Sequence, residues 1–357
     1  GIKSDIKLDE KSTLNVSLNG AFIKDKNELL NTFSTTGKNT TDTINKGRTF
    51  NTSTADKNTY AFRGFYTRAF KKPGRQFFLN LTVNHRGNVE DQHNFTLNEV
   101  RQLYAADTIN QQIHIKTTNN EVTIGPVYRE QLSKSLTLSV NYLFNNSLTR
   151  NEQYAYDFDY YKMGYTVKDD MLTYIFKNTY FNHYLESGLT YNKDKIMGIL
   201  TLGYNLNKSS SINYSNNNTF EETFHSWAPS LGLSYKISNS NSLIFFISNS
   251  SKIPQMESLI PVISTADPLY ITLGNPDLKP TNRTGMSIEY AAFSEKGTVF
   301  GFKLFSEFEK NGLGNTVYSD SIGRQITKPI NVSGNFSARS ELSIGKRFNK
   351  AALSINY

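Results

Sequence analysis

The side chains that most often bind metals are sparse in this chain and lack the spacing of a ligand set. The 357 residues include no cysteine, which excludes disulfide bonds and thiolate metal sites. Five histidines are scattered without the separations of helical or hairpin ligand pairs, at His85, His93, His114, His183 and His225. We therefore expect no metal site and no resident cofactor.

Carboxylates occur in close pairs at several places, and such pairs could exchange protons with a substrate. Three of them are Asp157/Asp159, Asp169/Asp170 and Glu221/Glu222. All three fall in or near predicted loops, where a solvated surface is the more common role. The chain has no glycine-rich phosphate loop between a strand and a helix and no Gly-x-Ser-x-Gly elbow. We expect that the protein is not an enzyme.

A run of aromatic residues near the middle of the chain could contact a ligand by stacking. It interleaves four rings with two carboxylates: Tyr154, Tyr156, Phe158 and Tyr160 with Asp157 and Asp159. The rings keep the parity of the apolar residues between 136 and 144, so a continued strand would place them on the same face. Two interpretations stay open, an aromatic girdle at a membrane interface and a surface that stacks on a bound ligand.

Alternation of apolar and polar residues predicts the elements that would position these side chains. Residues 14–22 have the period of two that is typical of a strand with one apolar face, and the pattern recurs as far as residue 357. Only 37% of the chain is hydrophobic, its mean hydropathy is -0.49, and no apolar run approaches the roughly 18 residues of a spanning helix. A helical membrane protein is therefore excluded, whereas strands that need apolar residues on one face only are not. The 21 tyrosines and 24 phenylalanines fit the aromatic girdles of membrane barrels.

One face of these strands should form a continuous lipid-facing belt. The residues that we expect in it are Leu79, Leu81, Val83, Leu136, Leu138, Val140, Leu200, Leu202, Phe300, Phe302 and Leu304. In a soluble sandwich the same residues would instead pack against one another inside a closed core. Periodicity alone does not separate these two possibilities.

Short and long connections alternate between the predicted strands. Short turns are predicted at 71–75, 133–134, 192–195, 238–241, 294–297 and 349–350. Long loops are predicted at 24–56, 88–118, 158–170 and 252–280. A soluble sandwich has no physical reason to keep every second connection short, whereas an outer-membrane barrel has short turns on one rim and long loops on the other. The rhythm therefore favours a barrel with an apolar exterior and a wet interior.

A stiff segment separates the last predicted loop from the strand that contains Met286. It reads Gly274-Asn275-Pro276-Asp277-Leu278-Lys279-Pro280, and each proline fixes φ and biases the preceding residue toward extended geometry. An upstream stretch carries Pro254 and Pro261. Together the two motifs resemble the barrel domain of TonB-dependent outer-membrane receptors of Gram-negative bacteria. The chain departs from that family at Ile253, which is usually Arg, and at Thr281, which is commonly Glu.

The resemblance implies an all-β fold, an antiparallel up-and-down transmembrane β-barrel of about 22 strands closed around an N-terminal plug domain. We count about fourteen strands in the sequence, which begins within one strand pattern and ends within another. We therefore expect residues 1–357 to be an incomplete portion of one barrel domain, with the plug and the remaining strands outside it. The portion should be an open curved sheet with unpaired edges near residues 1–8 and 351–357.

The resemblance also implies TonB-dependent uptake of a scarce ligand, such as a siderophore, a glycan or a similar nutrient, through the outer membrane. The implied partners are outer-membrane lipid, the plug, TonB and a small-molecule or oligosaccharide ligand, for which the aromatic run from Tyr154 to Tyr160 is a candidate contact. Alternatives are an uncoupled passive pore or structural barrel, and a secreted all-β binding protein. No nucleic-acid partner is expected, because the 39 basic and 31 acidic residues are spread along the chain.

Overall fold

Strands make up nearly all of the described part of the chain. A computed structural model describes residues 1–36, 43–100, 105–215, 217–260, 264–267, 270–294, 297–319, 324–348 and 351–356. Pro261, the middle of the predicted turn at 294–297, the predicted turn at 349–350 and parts of the predicted loops at 24–56, 88–118 and 252–280 lie outside these residues. No helix among the described residues has the length and apolar character needed to cross a membrane.

The chain forms nineteen described strands and one short helix, in the following order. The elements are β1 Ile2–Asp9, β2 Ser12–Thr36, β3 Thr43–Ala69, β4 Gln76–Val100, β5 Ala105–Gln131, β6 Leu136–Asp159, β7 Gly164–Lys168, β8 Tyr174–Lys193, β9 Ile196–Asn213, β10 Asn218–Lys236, β11 Asn241–Lys252, α1 Met256–Leu259, β12 Ser264–Asp267, β13 Tyr270–Thr272, β14 Thr281–Phe293, β15 Thr298–Lys310, β16 Gly312–Ser319, β17 Gln325–Val332, β18 Asn335–Phe348 and β19 Ala351–Asn356.

Fourteen of these strands form one antiparallel sheet in which each strand pairs with the next one along the chain. The order is β1-β2-β3-β4-β5-β6-β8-β9-β10-β11-β14-β15-β18-β19, and β7 adds to the end of β6. In the described residues β1 and β19 are the two edges and do not pair with each other, so the sheet is open. A separate four-stranded sheet has the order β12-β13-β17-β16. The predicted strand number, strand order and open edges are confirmed.

The short turns lie on one edge of the main sheet, because consecutive antiparallel strands return to the same edge at every second connection. The predicted turns at 71–75, 133–134, 192–195 and 238–241 all join neighbouring strands there, and we call this edge the turn rim. Gly74 has φ of 75° in the first of these turns, a geometry that suits the Pro-Gly sequence. The opposite edge, the loop rim, carries the long excursions 160–173, 253–280 and 311–334.

Two of the predicted loops are wrong. Residues 24–36 and 43–56 continue β2 and β3, and most of 88–118 continues β4 and β5, so that the strands reach 25 to 27 residues. These segments are mostly polar and their few apolar residues do not alternate over a sustained run, so hydrophobic periodicity gives no strand signal there. The backbone ladder nevertheless continues from Asn45–Val100 to Ala69–Gln76 without a shift. A membrane-crossing strand needs only about 9 to 11 residues. In a membrane barrel, the long hairpins would therefore extend far beyond the bilayer.

Smaller elements also interrupt two other predicted loops. The loop predicted at 158–170 contains β7, and the loop predicted at 252–280 contains α1, β12 and β13. Both segments nevertheless remain excursions at the loop rim. Each of these elements has five residues or fewer, which is too short for hydrophobic periodicity to predict a helix or a strand.

All the residues expected in the apolar belt share one face of the sheet, which we call the belt face. Directly paired residues of neighbouring strands point to the same side, and the pairs run Leu81–Ile124, Leu189–Leu200 and Tyr290–Phe302 across the sheet. Leu200 is 53% exposed, and none of the expected belt residues is buried. An apolar face that packs against nothing in the described protein contradicts the soluble sandwich and supports a lipid-facing belt.

The opposite face, the polar face, carries amides, hydroxyls and paired charges that hydrogen-bond across strands. Asn84 and Asn145 both donate to the carboxylate of Glu121, at 3.1 and 2.8 Å. Asn141 donates to Glu186 at 2.8 Å, and the Tyr184 hydroxyl donates to the same carboxylate at 2.5 Å. Such groups can also hydrogen-bond to water in a wet interior, whereas transferring them to lipid would cost free energy. The two faces therefore meet the two environments of a membrane barrel.

A charge placed on the belt face should destabilise the protein far more than one on the polar face. Leu202 is 52% exposed and lies near the middle of the stretch of β9 that would cross the membrane. We expect Leu202→Lys to lower the free energy of unfolding in lipid bilayers by about 2 to 4 kcal/mol. The matched substitution Asn205→Lys lies on the polar face and should cost much less. Urea titration of the full-length protein in bilayers measures both, and equal losses would contradict the assignment of the faces.

Candidate functional site at the loop rim

The proline-rich motif joins three separate parts of the loop rim through Asn275. The backbone N–H of Asn275 donates to the carbonyl of Ser258 at 2.7 Å, and its side-chain amide donates to the carbonyl of Pro329 at 2.9 Å. Its Oδ1 accepts the N–H of Asp277 at 3.1 Å, which fixes the turn itself. Asn275 is buried, so each of these bonds replaces one with water. Asn275 thereby ties α1, through its backbone, and β17, through its side chain, to the entrance of β14.

A second asparagine, Asn331, holds the other end of the motif. The N–H of Lys279 donates to Asn331 Oδ1 at 2.7 Å, and Asn331 Nδ2 donates to the carbonyls of Lys279 and Asn311, at 3.0 and 2.9 Å. The Thr281 hydroxyl also donates to the Asn311 carbonyl, at 2.9 Å. A glutamate carboxylate could not donate this bond, which gives Thr281 a role of its own at a position where the resembled family commonly has Glu. We call Asn275, Lys279, Thr281, Asn311 and Asn331 the clasp.

Apolar side chains anchor the motif below the clasp. Leu278 is 3% exposed, Leu259 of α1 is fully buried and Ile271 of β13 is 8% exposed, whereas Pro276 and Asp277 lie at the surface. Gly274 is buried, and Pro280 directly precedes the first residue of β14. The motif is therefore a structural junction between the excursions and the main sheet, and it leads from the loop rim into β14 as predicted.

The second proline motif covers a cavity on the polar face. Residues 253–256 lie against β6, β8 and β9 and enclose a space of about 550 Å³. Its other lining residues are Ser147, Thr149, Asn178, Thr179, Tyr180 and Ser209. Pro254 is buried, and every lining side chain is uncharged. This cavity could hold a hydroxyl-rich ligand, but it offers no cation for an anionic one.

The aromatic candidates lie on the same side as the belt face rather than over the polar face. Tyr154 pairs with His114 and Tyr156 pairs with Gln112, in the register that continues the belt face upward. The Phe158 ring packs edge-on against Tyr160 with centroids 5.1 Å apart. The prediction that these rings lie on a continued strand is confirmed for Tyr154, Tyr156 and Phe158, whereas Tyr160 follows the end of β6. A role in ligand contact stays a prediction.

Tyr165 of β7 completes this aromatic cluster, and no pattern in the sequence predicts its place there. Its ring packs against Phe158 at 5.1 Å, its hydroxyl donates to Asn110 Oδ1 at 2.8 Å, and His93 Nε2 lies against the same hydroxyl. Burial raises the pKa of Tyr165. The side chain therefore remains a neutral donor that attaches β7 to β4 and β5. Tyr160 is 63% exposed and is the accessible ring of the cluster.

At least one carboxylate of each pair has a structural partner. The backbone N–H of Lys162, with that of Tyr161, holds the pKa of Asp159 below its usual value, so the carboxylate is an anion that closes the turn after β6. Asp157 and Asp169 both accept from the amide of Gln111, at 2.8 and 3.2 Å. Glu221 forms an ion pair with Lys208 at 2.7 Å. None of these contacts resembles an acid and base poised over a substrate.

All five histidines lie on the belt side of the sheet. His183 Nδ1 lies 2.8 Å from the Tyr142 hydroxyl, and His225 Nδ1 lies 2.7 Å from that of Tyr204. They form part of a band above the apolar belt, the girdle, whose members are Tyr142, Phe144, His183, Tyr204, His225 and Trp227. Within the described residues no group of His, Asp and Glu side chains could hold a metal ion.

The sequence model of one family matches residues 68–357, which is more than half of the chain. The chain belongs to the outer membrane protein beta-barrel family. Its two-faced sheet is therefore a membrane wall in the outer membrane of a Gram-negative bacterium. No curated protein sequence matches the chain.

Solved structures share the fold at low sequence identity. The copper transporter OprC superposes with a TM-score of 0.52 at 13% identity, over 97% of this chain and 56% of OprC. The ferric-catecholate import receptor Fiu of E. coli K12 gives 0.50 at 7% identity, over 99% of this chain and 62% of Fiu. The chain thus spans less than two thirds of these barrel proteins. The similarity confirms the predicted barrel fold.

Loss of the clasp should loosen the loop rim without unfolding the barrel. In Asn275→Ala the buried carbonyl of Pro329 loses its partner, at a cost of about 1 to 3 kcal/mol, and the turn loses the bond between Asn275 Oδ1 and the N–H of Asp277. We expect faster proteolysis within 253–334 in the full-length protein, with unchanged gel mobility of the folded barrel. Asn315→Ala is the control, because Asn315 is exposed on β16 of the same small sheet. Equal proteolysis of both variants would contradict the role of the clasp.

Proposed function

We propose that the chain forms part of the wall of a plugged outer-membrane transporter that takes up a scarce nutrient with energy supplied through TonB. The observation that supports this most directly is the sheet itself, with a lipid-facing belt face, a wet polar face and a clasped set of excursions at one rim. A passive pore needs the belt face and the polar face, but it does not need excursions that are held in place over its opening by the clasp. The family and the fold of OprC and Fiu support the same location.

Residues 1–357 contribute fourteen strands of the wall, and we propose that the remaining strands and a plug belong to the same barrel. Barrel width follows from the number, tilt and shear of the strands, and about 22 strands enclose a lumen wide enough for a plug domain. The open edges β1 and β19 would then pair with other strands, since unpaired backbone groups are not tolerated in lipid.

Ligand capture in this proposal takes place at the loop rim, where the excursions and the tall hairpins β2 to β6 surround the mouth. The cavity under Pro254 presents hydroxyl and amide groups of the polar face, which would line the lumen. A small molecule or an oligosaccharide that passed inward would meet these groups first. The ring of Tyr160 would be the accessible member of the predicted aromatic contact.

Coupled transport and passive diffusion predict opposite behaviour in planar bilayers. We expect the full-length protein to give no steady conductance, because a plug fills the lumen, and to bind the purified C-terminal domain of TonB in a pull-down. A porin of known conductance serves as the positive control for insertion. Steady open-channel conductance without TonB binding would contradict the proposal and support a passive pore.

A further inference from the structure

Two cations face each other directly on the belt side of the sheet, above the girdle. Arg150 of β6 and Lys177 of β8 are Cα partners in the strand register. Among all the strand pairs that the structure describes, this is the one in which two like charges are opposed. Like charges at directly opposed positions destabilise a sheet. Such a pair is explained most simply if a bound anion offsets the repulsion.

The neighbouring charges leave the site positive. Lys116 of β5 is exposed on the same side, opposite Glu152. Glu152 also accepts from Arg150 Nε at 2.6 Å, so it offsets one of the three cations. No described carboxylate lies within ion-pair distance of Lys177, which is half-buried. One carboxylate among three cations leaves two positive charges for an external anion.

A surface depression lies between the two opposed cations and the neighbouring strands. It has a volume of about 330 Å³ and is lined by Thr118, Asn120, Leu148, Arg150, Lys177 and Tyr214. Thr118, Asn120 and the two cations supply hydrogen-bond donors. The side chain of Leu148 and the ring of Tyr214 supply apolar contact. A charged head on an apolar body matches this combination. Arginine and lysine together bind phosphate well, Arg as a planar fork and Lys as a point charge.

The height of the depression points to the headgroup layer of the outer leaflet. Arg150 is six residues beyond Phe144 of the girdle, a distance of about 20 Å along the strand. With the strand tilt typical of barrels this becomes roughly 14 Å above the girdle. The side chains also point away from the lumen, as the belt residues do, so a ligand in transit would not meet them. What surrounds a barrel at this height is lipid headgroup.

We propose that Arg150 and Lys177 bind a phosphate group of an outer-leaflet glycolipid, with Lys116 contributing to the positive field. The bound lipid would neutralise the opposed pair and attach the tall hairpin wall to the membrane that surrounds it. The site is separate from the cavity under Pro254, so it does not depend on whether the protein transports a ligand.

Native mass spectrometry of the full-length protein in detergent tests the proposal with defined probes. We expect lipid A with both phosphates to bind, and lipid A from which both phosphates have been removed to bind about tenfold more weakly or worse, since a charge-assisted hydrogen bond to phosphate contributes on the order of one factor of ten. Inorganic phosphate alone should not compete at similar concentration. Equal binding of the two lipids would overturn the proposal, and competition by free phosphate would overturn the assignment to lipid.

Two variants separate binding from folding. Arg150→Gln combined with Lys177→Gln should lose most of the phosphate-dependent lipid binding, whereas Lys208→Gln should keep it, because Lys208 lies on the same side but is already paired with Glu221. Lys177→Glu places a carboxylate opposite Arg150 and should raise the melting temperature in lipid-free detergent while it lowers lipid A binding. Wild-type binding by the double variant, or a lower melting temperature for Lys177→Glu, would contradict the proposal.

Discussion

Backbone hydrogen bonds run without a break from one strand of the main sheet to the next. No water satisfies backbone groups in hydrocarbon, so every strand that crosses the membrane must pair on both sides. Here one ladder joins strand to strand, from β1 through β19. Because directly paired residues share a face, this single register also sorts every side chain to the belt face or to the polar face. Lipid contact and lumen chemistry therefore follow from the same pairing.

The same ladder continues well beyond the membrane on one side of the sheet. Strands β2 to β6 have 24 to 27 residues, whereas β14 and β15 have 13. Above the membrane, polar contacts such as that between the Thr49 and Thr96 hydroxyls, 3.0 Å apart, join neighbouring strands. The wall around the mouth is therefore higher on one side than on the other. The tall part carries the aromatic cluster around Phe158 and the cation pair on its outer side.

The low part of the wall is completed by the excursions and the clasp. β12, β13, β16 and β17 come from two segments separated along the chain, and parallel pairing of β13 with β17 joins them. Asn275 and Asn331 supply the side-chain bonds that fix this small sheet to the entrance of β14. In the proposed transporter this arrangement fixes the excursions over the polar face and the cavity under Pro254, while the strands below remain a uniform membrane wall.

Period-two alternation and turn residues are local signals, so the all-β class, the strand number of the main sheet, the turn rim and the composition of the belt could be predicted from the sequence. The proline motif likewise indicated the junction before β14. Three features became visible only in the folded chain: the extension of the hairpins through 24–56 and 88–118, the place of Asn311 and Asn331 in the clasp, and the opposition of Arg150 to Lys177. These depend on register between distant segments. A polar residue carries no local signal of its partner, since the hydrophobic pattern that sets register is absent there.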